Sequence, residues 1–299
     1  MTTVADLLAR GSQRILTSGS PSSGLDAELL LAHVLDIDRT GVLAHPEAVV
    51  GESAVERYEA AVNRRVAGEP VAYIVGVREF YGLAFSVDRR ALVPRPETER
   101  LVELTAAEIV RRLTSSPRPP GGAPLRVVDV GTGSGAVAVA LAVTLRRRGM
   151  ADEVAINATD VSAEALEVAV ENAVGHGVAD RISFWEADLL PPLAETRHDI
   201  VVSNLPYVAT ADLDRAGASL AHEPRQALDG GPGGIALIER LIAELPDALA
   251  PGGTALLEIG ADQAVAVTEL VSRILPGAPC TIESDLAGQP RVVRIGPVG

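Results

Sequence analysis

The six residues Ser203 to Val208 read Ser-Asn-Leu-Pro-Tyr-Val, and they group an amide side chain, a carbonyl ahead of a proline and an aromatic ring. Such a set can grip a planar NH2 group. Two oxygen acceptors take its two hydrogens, and a ring packs against its plane. Leu205 precedes Pro206, which biases its backbone toward extended conformations. Asn204, Leu205, Pro206 and Tyr207 are therefore the candidate catalytic residues. By themselves they do not say whose nitrogen is held.

A second cluster is Asp129-Val-Gly131-Thr132-Gly133-Ser134-Gly135. Glycines between a strand and a helix permit a tight turn and close approach of a ligand to the backbone. Their G-x-G-x-G spacing differs from the dinucleotide fingerprint G-x-G-x-x-G. The carboxylate of Asp129 would repel a pyrophosphate and suits a cationic or amine-bearing ligand. S-adenosylmethionine, with an ammonium and a sulfonium, fits. Asp160 ends the next strand, where a carboxylate can accept both ribose hydroxyls. Asp188, followed by Leu189, comes after the third strand and is placed to meet an adenine amine. Any one of these acids alone reads as an ordinary loop residue; three at successive strand ends form a signal. Asn204 completes the expected cofactor-binding set. Cys280 is the sole cysteine, so no disulfide within the chain and no cysteine-built metal site is expected.

The elements that must position these residues follow from periodicity. From Leu125 onward strands and helices alternate: strands at 125–130, 154–159, 182–185, 199–203 and 254–259, helices at 136–148, 163–174, 235–249 and 263–275. Two last strands fit 280–283 and 291–295. This is an α/β pattern, a parallel sheet covered on both faces with an antiparallel pair plausible at its end. Residues 1–75 read as a small helical bundle, with apolar stripes at Val4, Leu7, Leu8, Ile15, Leu16 and at Leu25, Leu29, Leu30, Val34, Leu35. Residues 76–95 read as a linking β-hairpin, with Asp88-Arg89-Arg90 as its turn. The remainder, 96–299, is one domain that opens with a helix from Thr98 to about Leu113. Ser115 to Pro124 reads as an exposed connection, and 209–234 as a long polar, glycine-rich one.

The formal net charge is −14, and every basic side chain apart from histidine is arginine. A chain whose main partner is nucleic acid usually carries a basic footprint, so no stable nucleic-acid complex is expected. The first residues lack the basic and apolar regions of a signal peptide. No uncharged apolar run reaches the ~18 residues a membrane helix needs. A cytoplasmic protein is the expectation.

The order Asp129-x-Gly-x-Gly-x-Gly, Asp160, Asp188, Asn204-x-Pro-Tyr resembles the class I methyltransferases that act on planar amine nitrogens. Glu79-Phe-Tyr-Gly82, Leu92-Val-Pro-Arg-Pro-Glu-Thr-Glu99, Glu223-Pro-Arg-Gln-Ala-Leu-Asp-Gly-Gly231 and Asp285-Leu-Ala-Gly288 narrow it. Together with the helical N-terminus they resemble the PrmC/HemK family, the N(5)-glutamine methyltransferases of peptide chain release factors. The resemblance implies a Rossmann-like S-adenosylmethionine-dependent domain behind a helical domain that docks class 1 release factors. It implies that the target amide is held by the Asn204 side-chain oxygen and the Leu205 carbonyl. The family usually has Asn-Pro-Pro-Tyr. Leu205 departs from it, and Asn-Leu-Pro-Tyr also occurs in adenine-dimethylating ribosomal RNA methyltransferases. Adenine methylation on RNA or DNA is thus the competing reading, with a non-catalytic S-adenosylmethionine-binding protein as a third.

Overall fold

The computed structural model describes residues 1–116, 122–191, 197–216 and 220–298. The expected connection from Ser115 to Pro124 falls partly outside these residues. The chain divides into two compact units, Met1–Val77 with Ala216–His222, and Arg78–Arg215 with Glu223–Gly299.

The first unit is a helical bundle of α1 (Val4–Thr17), α2 (Ser23–Leu35), α3 (Arg39–Ala44), α4 (Glu52–Val66) and α5 (Val71–Val75). A capping box starts α1: the Thr3 hydroxyl accepts from the Asp6 N–H, and Asp6 accepts from the Thr3 N–H. Val4, Leu7 and Ile15 face a core that includes Leu30, Leu31, Tyr58 and Val62. Leu16, Leu25 and Leu29, which the periodicity places in the apolar stripes, are exposed instead. The buried face is narrower than the apolar one because α2 carries leucines nearly all round. Among the buried polar groups Asp26 is held by Ser20, Ser22 and Arg65, the last at 2.7 Å. The short α3 and α5 were not expected. Pro70 precedes α5, and Gly76, at φ 80°, stops it.

The second unit opens on a hairpin of β1 (Val77–Phe80) and β2 (Leu83–Ser86). Its turn is Tyr81-Gly82, with φ of 54° and 68°. Two consecutive positive φ values make the tight hairpin turn whose twist matches the strands. Asp88-Arg89-Arg90 is not the hairpin turn. It closes on itself, with the Ala91 N–H donating to the Asp88 carbonyl, and the segment after it is not a strand.

The main sheet contains β3 (Leu125–Val130), β4 (Val154–Asp160), β5 (Ile182–Glu186), β6 (His198–Ser203), β7 (Leu249–Glu258), β8 (Cys280–Ser284) and β9 (Pro290–Val298). Their order is β5-β4-β3-β6-β7-β9-β8. The first five strands in that order pair in parallel, and β9 pairs antiparallel with both β7 and β8. Helices α6 (Glu99–Ser115), α7 (Ala136–Arg147), α8 (Ala163–Gly175), α9 (Thr210–Ala216), α10 (Ala236–Ala248) and α11 (Ala264–Ile274) complete the unit. The parallel α/β sheet expected from the alternation, and the Rossmann-like fold that the resemblance implies, are observed. β7 is longer than the apolar run suggests, and α9 lies in a stretch read as irregular. Strand order reverses at β3, so its neighbours β4 and β6 continue in opposite directions. That is where open α/β sheets bind ligands. Among the described residues no helix is long and apolar enough to cross a membrane.

Candidate active site

A cavity of about 540 Å³ opens beyond the carboxyl ends of β3, β4 and β6. Ligand pockets of this kind commonly measure ~300–1,000 Å³. The glycine turn forms one wall. Gly131, Gly133 and Gly135 all have positive φ (72°, 56° and 79°), a conformation that side chains strain. A Cβ added at Gly133 would meet no protein atom within 4 Å, and Gly133 lines the cavity, so the open space is there for a ligand. Gly135 has a different task. It does not line the cavity; a Cβ there would lie 3.0 Å from the Ala169 Cβ, so it lets α7 and α8 approach.

Asp129 is buried at the end of β3. Its Oδ2 accepts from the Thr132 hydroxyl at 2.6 Å and from the Ala138 N–H at 3.2 Å. It clasps the turn to the start of α7. Burial pushes its carboxyl up to about 7, with those two hydrogen bonds opposing. Asp160 accepts the Gly133 N–H at 2.8 Å on Oδ2 and the Ser162 N–H at 3.0 Å on Oδ1. Burial raises its pKa, and the backbone hydrogen bonds partly offset this. Each oxygen retains a lone pair for a ligand hydroxyl. Asp188 lies at the rim, with its side chain 62% exposed and paired to Arg240 at 2.8 Å. Leu189 behind it is buried at φ 68°, and its carbonyl accepts the Thr159 hydroxyl at 2.6 Å.

The opposite wall is the stretch after β6. In the sheet register Val130 pairs with Ser203, so Gly131 and Asn204 are neighbours across the switch point. Leu205 is buried and lies over Gly131: a Cβ at that glycine would be 3.1 Å from Leu205 Cδ2. The leucine fills space that Gly131 leaves empty. Asn204 and Pro206 also line the cavity, whereas Tyr207 packs partly buried against the core beside β7 and α10. Burial raises the Tyr207 pKa, and Glu258 adds to it.

Residues that the sequence left without a role hold this wall. Asn204 Nδ2 donates to Thr98 Oγ1 at 2.9 Å. That uses one of the two amide N–H donors and turns the nitrogen toward Thr98, and Asn204 Oδ1 has no partner among the described residues. Gln263 Nε2 donates to the Tyr207 carbonyl at 2.9 Å and to the Gly234 carbonyl at 3.2 Å. The segment Leu228–Gly230 runs beside the motif, with the Val208 N–H donating to the Leu228 carbonyl and the Gly230 N–H to the Val208 carbonyl. Glu223 anchors that segment through Arg95, at 2.6 and 2.8 Å. Gly234 is the tight point: at φ 72°, a Cβ would come within 2.3 Å of the Tyr207 carbonyl oxygen. Gly234→Ala is expected to lower stability by about 2–3 kcal/mol. A urea midpoint unchanged from wild type would contradict this.

The residues present suit S-adenosylmethionine. They offer a glycine cradle open to the cavity, a carboxylate with lone pairs to spare at the end of β4, and an exposed carboxylate, Asp188, at the rim.

Comparisons with known proteins bear on both units. Residues 6–76 match the PrmC N-terminal domain, and residues 120–250 match the methyltransferase small domain. Curated relatives named release factor glutamine methyltransferase resemble nearly the whole chain. The Deinococcus radiodurans protein is 37% identical over 289 residues, covering 97% of this chain and 96% of the relative. The Bradyrhizobium diazoefficiens protein is 37% identical over 281 residues, covering 94% and 90%. Among solved structures, the catalytic domain of human METTL16 in complex with a 3'UTR hairpin has a TM-score of 0.54 at 15% identity. It covers 82% of this chain and 80% of that one, a likeness of fold.

Proposed function

The chain belongs to the release factor glutamine methyltransferase family, and on that premise we propose that it methylates the side-chain amide nitrogen of the glutamine in the Gly-Gly-Gln motif of class 1 peptide chain release factors. The methyl donor is S-adenosylmethionine. When bound it supplies an electrophilic methyl: an N–CH3 bond forms as the S–CH3 bond breaks, and the electron pair leaves with sulfur.

The chain's own residues then act by position. An amide nitrogen is a weak nucleophile because its lone pair is delocalised. Asn204 Oδ1 and the Leu205 carbonyl each accept one N–H of the target, which aims the nitrogen at the methyl. Positive charge develops on that nitrogen in the transition state, so both hydrogen bonds strengthen there. The surplus proton leaves to water after transfer. Orientation of this kind can supply ~7–11 kcal/mol of a barrier. The glycine turn, Asp160, Asp188 and Leu189 hold the cofactor in this reading, and Tyr207 supports the motif from the core side.

The observation that carries the proposal is the Asn204–Thr98 hydrogen bond, which turns the amide nitrogen toward Thr98 and leaves the Asn204 oxygen unpartnered for the substrate. Residues 1–75 as the release-factor docking domain, 76–95 as a linker, 96–299 as the catalytic domain and the cytoplasm as the place of action belong to the same proposal. The net charge of −14 favours a protein over a nucleic-acid partner. Incubation with methyl-labelled cofactor and either a release factor or ribosomal RNA tests it. Label in the release factor is expected; label in RNA alone would replace it with the adenine reading.

A further inference from the structure

Glu258 is an acid inside an otherwise apolar strand, and neither of the sequence motifs includes it. It closes β7, where Ser203 pairs with Leu257, so Glu258 is the cross-strand neighbour of Asn204. Residues alternate faces along a strand. Leu257 and Ala255 join the core under α10 and α11, while Thr254 on the other face accepts from Arg112 of α6 at 2.9 Å. Glu258 shares the Thr254 face, toward α6, and Thr98 stands at the start of that helix. Glu258 is 1% exposed, and both carboxylate oxygens are buried with no hydrogen-bond partner among the described residues. Arg291 on β9, Glu97 ahead of α6 and Tyr207 after β6 are the other ionisable groups facing it.

We propose that Glu258 is a positioning residue for the methyl transfer, fixing through the Thr98 hydroxyl which end of the Asn204 amide faces the substrate. The inference rests on the functional reading above. A threonine hydroxyl has one proton to give and lone pairs with which to accept. Its oxygen accepts from Asn204 Nδ2. Its own proton is free to turn toward the unpartnered carboxylate of Glu258, whose charged form Thr98 favours. With Glu258 ionised, Thr98 must donate to it and accept from Asn204, so Asn204 Oδ1 must point to the target. With Glu258 protonated, the carboxyl can donate to Thr98 instead. Thr98 is then free to donate to Asn204 Oδ1, which removes the acceptor that the target needs. Burial pushes Glu258 up to about 7, and Thr98 and Arg291 oppose that shift. The switch therefore falls within the working range: activity should rise with pH as Glu258 ionises.

The test is kcat against pH for the wild type, Glu258→Gln, Thr98→Val, Thr98→Ser and the Glu258→Gln/Thr98→Val double variant. Glu258→Gln is expected to lower kcat about 10- to 100-fold, with KM for both substrates unchanged and the acidic limb abolished. Thr98→Ser should retain activity, and the double variant should lose no more than Thr98→Val. Wild-type kcat and pH profile in Glu258→Gln would overturn the proposal. A readout independent of turnover is the Asn204 side-chain amide NMR resonance, identified by its loss in Asn204→Ala. It should titrate in the wild type and stay fixed in Glu258→Gln. A titration identical in both would refute the coupling even if the enzyme's substrate proved to be a different amine.

Discussion

Asn204→Ala is expected to lower kcat for methyl transfer about 10²–10³-fold and to leave S-adenosylmethionine affinity nearly intact. The size follows from what is removed. Asn204 Oδ1 is the side-chain acceptor of the pair, and the interaction it makes gains strength only as the nitrogen turns positive. Such losses appear in kcat and not in ground-state binding. The substitution also removes the donor to the Thr98 oxygen, a loss of one part-buried hydrogen bond. The fold should therefore survive. Rapid-quench measurement of the methyl-transfer step, with calorimetry for cofactor binding, separates the two quantities. Near-normal turnover would remove Asn204 from the mechanism.

The second large effect is expected at Asp160. Its two oxygens accept N–H groups from Gly133 in the glycine turn and from Ser162 ahead of α8. Asp160→Ala removes the ribose acceptor and leaves the Gly133 N–H without its partner. A hydrogen bond to a charged group is worth about 1.5–3 kcal/mol, so cofactor affinity should fall about 10- to 150-fold. Asp160→Asn is the sharper control, because its amide nitrogen can donate but only its oxygen can accept. It should fall between the two. Calorimetric affinity equal to wild type in Asp160→Ala would show that this carboxylate holds the turn and nothing more.

The two substitutions probe residues that are legible in the sequence. The glycine turn and Asp160 lie at strand ends that periodicity locates, and local chemistry suffices to read them. Asn204 is legible for the same reason. Thr98 and Glu258 are not, because they stand 106 and 54 residues from Asn204 and meet it only through the strand order β3-β6-β7. A trace existed: a glutamate inside the apolar run from Thr254 to Ile259 is unusual for a buried strand, and burying a carboxylate is costly unless it is used. Gln263 reads as the start of a helix, and only the fold shows that its amide pins the Tyr207 carbonyl. Around Val71–Arg90 the sequence misled in a physical way. The aromatic and β-branched composition of that stretch is shared by α5 and the hairpin, and composition does not mark the boundary. The turn fell at Tyr81-Gly82, where a tyrosine occupies a positive φ that residue preferences assign to glycine or asparagine. Leu205 is the instructive case at the site. The sequence flags it as a departure from Asn-Pro-Pro-Tyr, and the structure gives its side chain a place against Gly131.

The central claim is that the methyl group goes to a glutamine side-chain nitrogen. Tandem mass spectrometry of a class 1 release factor, incubated with the protein and S-adenosylmethionine and then digested, tests it most directly. The account predicts a single methyl on the glutamine of the Gly-Gly-Gln peptide, absent when Asn204→Ala replaces the wild type. An unmodified Gly-Gly-Gln peptide alongside methylated adenine in an RNA acceptor would contradict it.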